Sequence, residues 1–513
     1  MKKKILCSLI ALVTVVALVA CGQKPSGGGS GSESPSGGES TGREATNSVV
    51  VGITQDIDSL DPHNAEAAGT REVLFNMFEG LVKATPEGEI EPAVASDYVV
   101  SEDATNITFT LRDGITFCDG TPVTAEDVKY SIERYAGIQG EGSAFSILED
   151  IVIEADGKTI QVNLSEPNTE FVYELTCAII PQANEANVNS NPIGTGPFMY
   201  EEFIPGEKLV VKRNPYYWKA GFPYLDEVTF RIVADTDVAV TQLNAGTLDI
   251  VQYLTADQAM TLNDNFYIED GSINYVQALF LNNAVAPFDN PLVRQAIYYA
   301  VDRQKISNML FGGKSHIIGT NMIPAATKYY NADTENQYPY DPAKAKELLK
   351  QAGYENGFTF TIQVPNNYPP HKGTAEIIAD CLADIGVTAK LNEIEFTSWR
   401  SDVYHGRQFE ATVVAVDGRL APYTWFAKNE STASNNFTNY SNPQFDEIYA
   451  KARAAIDPEE KVGYYKQLQQ ILADDAASIY IQDPANQVAI RNSLTGYVFY
   501  PVSAQDLSVV KYK

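Results

Sequence analysis

An α/β fold of two or three domains is what the sequence predicts, on three observations. Segments with the two-residue period of strands alternate with segments of helical period along most of the chain. After residue 285 the alternation takes the strand–helix–strand form that builds parallel sheets. Roughly 460 residues follow the low-complexity N-terminus, more than a single hydrophobic core serves.

The first ordered element is a strand over 47–54, which runs into the turn Asp58-Ser59-Leu60-Asp61-Pro62-His63. From Thr70 to Leu81, the apolar residues Val73, Leu74, Met77, Phe78 and Leu81 fall at the i, i+3, i+4 spacing of an amphipathic helix. Residues 107–117 alternate like a strand pair around Asp113-Gly114. In 121–135, Thr124 stands as N-cap with Asp127 three positions on, a capping-box variant that starts a helix. Further strands are expected at 159–164, 208–213, 228–233, 357–364, 410–416 and 478–482. Helices are expected at 290–311, 342–353, 374–386 and 459–476.

The N-terminus reads as an address. MKKK, the apolar run Ile5 to Val19 and small residues before a cleavage point describe a secretory signal over 1–20. The run is about fifteen residues, short of the about 20 that a spanning helix needs. Leu18-Val19-Ala20-Cys21 resembles the bacterial lipobox, which implies a lipid on Cys21 as the only membrane attachment. The implied location is the outer face of the cytoplasmic membrane of a Gram-positive-type cell. Residues 21–48, rich in Gly, Ser, Glu, Pro and Thr, read as a tether that cannot bury enough surface to fold.

Charge and cysteine usage exclude several roles. The formal net charge is −29, from 66 acidic and 37 basic residues, which argues against nucleic acid and anionic membranes as partners. Two of five cysteines lie in the leader, leaving Cys118, Cys177 and Cys381, enough for at most one disulfide. A Cys118–Cys177 bridge and separate buried thiols both remain open. Four scattered histidines, with no HExxH and no CxxC, give no built-in metal site and no cofactor. No GxSxG elbow occurs outside the Gly/Ser-rich segment, so nothing points to an enzyme.

Several segments, in order, carry a family resemblance. They are DSLDPH, FNMFEGLV (75–82), TFTLRDGITFCDGTPVTAEDVKYSIER (108–134), NPIGTGPFMYEEF (191–203), LVVKRNPYYW (209–218), LNNAVAPFDNPLVRQAIYYAVDR (281–303) and YDPAKAKELLKQAG (340–353). Together they resemble the oligopeptide-, dipeptide- and nickel-type solute-binding proteins of bacterial ABC importers. The resemblance implies a two-lobed clamp of the large type II periplasmic-binding-protein class. Lobe one would take 49–82, 186–284 and 483–513, with an extra domain at 83–185; lobe two would take 285–482. The implied function is capture of oligopeptides or dipeptides by a monomer that delivers them to a membrane permease. Other solutes, namely a chelated metal, an oligosaccharide or an anionic compound, are the alternative.

The resemblance also locates the ligand contacts. In peptide-binding members the ligand pairs its backbone with the segment after the LDP turn, here Asn64, Ala65, Glu66, Ala67 and Ala68. It also meets the loop after the strand EATVVAV, here Val416-Asp417-Gly418-Arg419-Leu420-Ala421-Pro422. The family pattern there is Gly-Trp, then an amine-capturing Asp. This chain has no Trp at that point and a shorter loop. Asp417 facing the cleft would hold an ammonium group, and Arg419 would select a carboxylate or phosphate. A third arrangement pairs the two with each other. Trp399, Tyr423, Trp425 and Phe426 are candidate aromatic walls.

Overall fold

The computed structural model describes residues 47–140, 143–366, 369–417 and 420–513. The expected signal peptide, Cys21 and all but the last two residues of the expected tether lie outside these residues. Asn47–Lys513 form one unit built on three larger sheets, with two further two-stranded ones.

The first strand, Ser48–Ile53, lies at the centre of a seven-stranded mixed sheet. It runs parallel to Glu227–Ile232 on one side and to Ile250–Leu254 on the other. Lys208–Arg213 and Phe198–Ile204 extend one flank, and Ala485–Arg491 and Phe266–Ser272 the other. The second sheet has six strands, in the order 316–317, 479–483, 275–281, 411–417, 359–365 and 388–394. Parallel pairing is confined to its last three strands. A four-stranded antiparallel sheet (95–100, 106–111, 159–164, 148–153) builds the extra domain.

The chain passes between the two large sheets twice, and this sets the lobes. Phe266–Ser272 belongs to lobe one and Tyr275–Leu281 to lobe two, so the outgoing crossing is Ile273-Asn274. The sequence expectation placed it near 284. Tyr275–Leu281 belongs to lobe two because it pairs along its whole length with Ala411–Asp417. The return crossing is Pro484, between Ile479–Asp483 and Ala485–Arg491.

Local chemistry set the element ends. The helix Ala125–Gln139 starts with the full reciprocal box: Thr124 Oγ1 accepts from Asp127 N, and Asp127 Oδ2 accepts from Thr124 N. The expected helix 70–81 is instead Ala68–Leu74. Its continuation is prevented because the Asn76 and Met77 carbonyls accept from Phe198 N and Gly196 N at 3.0 Å each. The expected strand pair around Asp113-Gly114 is one strand, Asn106–Leu111, followed by turns. The expected helix 290–311 is two, Pro291–Ala300 and Arg303–Phe311, because Asp302 starts the second by accepting from Lys305 N. Cys118, Cys177 and Cys381 are free, buried thiols, and no Cys118–Cys177 bridge forms.

The family-like motifs meet at one buried carboxylate. Glu79 of FEG accepts from Tyr217 OH at 2.9 Å and from Trp218 Nε1 at 2.8 Å, both from NPYYW. Lys83 Nζ stands 3.3 Å from it and supplies the opposite charge. Gly194 and Gly196 of GTG pass so close to Met77 that an added Cβ would lie 2.2 and 2.5 Å from its backbone. These residues hold the junction of lobe one and the extra domain, and so set the fold rather than the ligand.

Candidate ligand-binding cleft

The segment after the LDP turn is fixed by Arg134, from the helix Ala125–Gln139. Its guanidinium forks onto the buried Asp61 carboxylate at 2.5 and 3.1 Å. The same guanidinium donates to His63 Nδ1 at 2.8 Å, so Nε2 carries the proton and donates to the Ala178 carbonyl. Burial, with the nearby Arg134 charge, holds the His63 imidazole neutral and below its usual pKa.

Downstream, Asn64 Nδ2 donates to Asp61 Oδ2 at 2.7 Å. The Glu66 and Ala67 N–H groups both donate to Asp58 Oδ2 at 2.9 Å. The Glu66 carbonyl accepts from Arg71 Nη1 at 2.6 Å. Asp58 therefore engages both of these N–H groups within the chain. Ala67 precedes, and Ala68 begins, the helix Ala68–Leu74. Asn64, Ala65 and Glu66 stand at the rim, where Glu66 Oε2 reaches Arg400 of lobe two at 2.8 Å. Both side chains are more than half exposed.

The four expected aromatic walls are occupied elsewhere, Phe426 being fully buried in the lobe-two core. Trp399 lies in the lobe-two core, stacks on Phe396 with ring centroids 5.9 Å apart, and donates from Nε1 to Thr412 Oγ1 at 2.9 Å. Trp425 is buried in the same core, and its carbonyl accepts from Asn321 Nδ2. Tyr423 donates to Glu174 of the extra domain at 2.5 Å. In each case burial of a large ring outweighs its use as an open wall. Asp417 ends the strand Ala411–Asp417, paired with Tyr275. Its side chain, and Arg419 as a whole, lie outside the described residues.

Polar groups that the sequence reading missed gather beside the crossings. A cavity there is lined by Glu72, Gln252, Tyr253, Asn274, Asn486 and Tyr497, among others. Glu72 is buried and accepts from Tyr253 OH and, at 3.4 Å, from Gln252 Nε2. Asn486 binds both neighbours, taking Tyr253 N at 3.0 Å and giving Nδ2 to Gln252 Oε1 at 3.2 Å. Burial pushes the Glu72 carboxyl up to about 7 against the lowering effect of Tyr253, Arg71 and Gln252. Tyr253 itself holds φ of 64°, a left-handed conformation at the bulge between Val251 and Leu254.

On the lobe-two side, Gln277 links three elements. Its Oε1 accepts from Gln482 Nε2 at 2.7 Å and Thr374 Oγ1 at 3.3 Å, and its Nε2 donates to His371 Nδ1 at 3.0 Å. Burial pushes the His371 imidazole down to about 4. The only advance signal was a polar residue inside apolar strands: Gln252 in IVQYL, Gln277 in YVQALFL and Gln482 in IYIQ. Among the described residues no cluster of three or more metal-ligating side chains occurs, and no helix is long and apolar enough to cross a membrane.

Comparison with known proteins agrees with this architecture. Residues 89–439 match the family described as bacterial extracellular solute-binding proteins, family 5 middle. The glutathione-binding protein GsiB of Salmonella typhimurium is 29% identical over 479 residues, covering 89% of this chain and 93% of the relative. Among solved structures, AgaA of A. tumefaciens R10 in complex with agropinic acid aligns with a TM-score of 0.77 and 29% identity, over 91% of this chain and 99% of that one. DppA of Helicobacter pylori in complex with the peptide STSA gives 0.77 and 26%, over 91% and 98%. The solved relatives share the two-lobed fold with an added domain, and the matched family is one of solute-binding proteins, not enzymes. The chain belongs to the family 5 bacterial extracellular solute-binding proteins, the substrate-binding receptors of ABC importers for peptides and related solutes.

Proposed function

We propose that this receptor is a lipid-anchored monomer that captures short peptides between its lobes and hands them to the membrane permease. The observation that carries the peptide reading is the whole-chain similarity to a relative named for glutathione, itself a tripeptide, and to a structure holding STSA. The cavity beside the crossings is lined in part by the side-chain amides of Gln252, Asn274 and Asn486, a polar lining that suits a peptide-type ligand. The contacts proposed for the ligand are the rim segment Asn64, Ala65, Glu66, Ala67 and Ala68, together with the loop carrying Asp417 and Arg419. Cys21 is the proposed lipid attachment site, on a Gram-positive-type cell surface.

Calorimetric titration of the purified protein with dipeptides, tripeptides and glutathione tests the ligand. Micromolar or tighter binding of at least one is expected; no binding to any would remove the peptide reading and leave the receptor role standing. Asp417→Asn and Arg419→Ala then separate the two modes of capture. A loss on the order of 2–5 kcal/mol in one variant names the buried charge pair. For the anchor, Cys21→Ala should abolish incorporation of labelled fatty acid; labelling that persists would exclude Cys21.

A second reading, capture of a non-peptide solute, is favoured by the AgaA complex with agropinic acid at the same identity as GsiB. Agropinic acid in the same titration series distinguishes it.

A further inference from the structure

We propose that the extra domain latches the clamp shut through three glutamates spaced four residues apart, Glu166, Glu170 and Glu174, which grip three separate helices of lobe two. Glu174 Oε1 accepts from Tyr423 OH at 2.5 Å. Glu170 Oε2 accepts from Tyr465 OH at 2.8 Å, and its Oε1 lies 3.5 Å from Lys461 Nζ. Glu166 Oε1 meets Arg453 Nη2 at 2.9 Å. Tyr173, between the last two glutamates, packs against the cores of both the extra domain and lobe two.

Chain connectivity does not impose this contact. Residues 166–174 reach lobe two only through the crossings at 273–274 and 484, so opening about those crossings separates every pair named above. Glu166 and Glu170 stand in the bend and turn that lead into the short helix Phe171–Glu174, so three successive points of one segment present a carboxylate to lobe two.

Its energetics suit a reversible device. The outer pair, Glu166 with Arg453, is about half exposed on both sides and weakly favourable. The inner pair, Glu170 with Lys461, is almost fully buried, and its attraction is offset by desolvation. Burial pushes Glu170 up and Lys461 down, so each ion depends on the other being in place. A contact so balanced fixes the closed geometry without freezing it.

The test needs no ligand, which keeps it separate from the peptide reading. Glu166→Cys with Arg453→Cys places two thiols at the exposed end of the contact, while the native cysteines among the described residues are buried. A short bis-maleimide should join them within the chain, and the linked protein should show a smaller radius of gyration by X-ray scattering than the unlinked one. Adding Tyr423→Phe and Glu170→Gln should slow linking about tenfold, corresponding to roughly 1.4 kcal/mol. Glu174→Gln, which removes a single charge, gives the same readout if the Glu170 variant does not fold. Linking at an unchanged rate, no linking at all, or an identical radius in linked and unlinked protein would each overturn the latch.

Discussion

Asp483 accepts the backbone N–H of Asn274 at 2.9 Å, joining the return crossing of the clamp to the outgoing one. The same oxygen accepts from Tyr275 N at 3.2 Å, and Ile273 N donates to the Pro484 carbonyl at 2.9 Å. Asn274 sits at φ of 64° and gives its Nδ2 to the Tyr500 carbonyl, so the bend depends on bonds to neighbouring segments. Asp483→Ala would leave two backbone donors in a buried place without an acceptor. A loss of about 2–5 kcal/mol in denaturant unfolding is expected. Asp483→Asn keeps an acceptor oxygen and should lose far less; equal losses in the two variants would refute the clasp.

Glu72 makes stability fall as pH rises. Burial pushes its pKa up to about 7, above the about 4.3 of an unfolded chain, so between those values the folded state binds the extra proton. Unfolding free energy then decreases with rising pH through that window, by on the order of 3 kcal/mol in full. Asp483, also pushed up to about 7, adds a contribution of the same sign. Glu72→Gln should flatten the decline between pH 5 and pH 8 in urea titrations. A slope identical to the parent protein's would show that Glu72 is ionised throughout.

How far the sequence reveals this molecule depends on whether the deciding partner is near in the chain. Thr124 and Asp127 act on each other across one turn, and their helix starts where the sequence places it. Asn76 instead donates to the Gln505 carbonyl and accepts from Leu507 N, partners more than 400 positions away, so an amphipathic pattern running to Leu81 overstates the helix. The outgoing crossing fails for the same reason, since a strand's sheet is set by its partner, here Ala411–Asp417. In the cleft, it is the family resemblance, not local composition, that singles out the segment after the LDP turn as a candidate rim. It cannot show that Asp58 takes the donors of that rim, or that Tyr423 is committed to Glu174. Gln277 was visible as an oddity in an apolar strand, but its partners Gln482 and His371 come from other elements.

Arg134 should matter for both stability and binding, because it holds the turn from which the rim segment hangs. Arg134→Ala strands the buried Asp61 carboxylate, which the guanidinium now holds below its usual range. A loss of about 3–5 kcal/mol is expected. Arg134→Lys keeps the charge but not the two-pronged geometry, and should recover part of that loss only. Weaker ligand binding should accompany the lysine variant even where it is fully folded, since Asn64 is tied to the same carboxylate. Unchanged affinity in a folded lysine variant would separate the turn from the site.

Trp399 allows the sharpest distinction between a wall residue and a core residue. Its indole N–H donates to Thr412 Oγ1, whose own hydroxyl donates to the Gln363 carbonyl at 2.7 Å, so the ring ties a helical turn to two neighbouring strands. Trp399→Phe retains most of the apolar contact and the stack on Phe396 but deletes that donor. Thr412 keeps its own bond, so the expected loss is modest, about 1 kcal/mol in unfolding free energy. The dissociation constant of any peptide that the parent protein binds should stay within about twofold, since 1.4 kcal/mol would already be tenfold. A tenfold loss of affinity at unchanged stability would return Trp399 to the wall of the cleft.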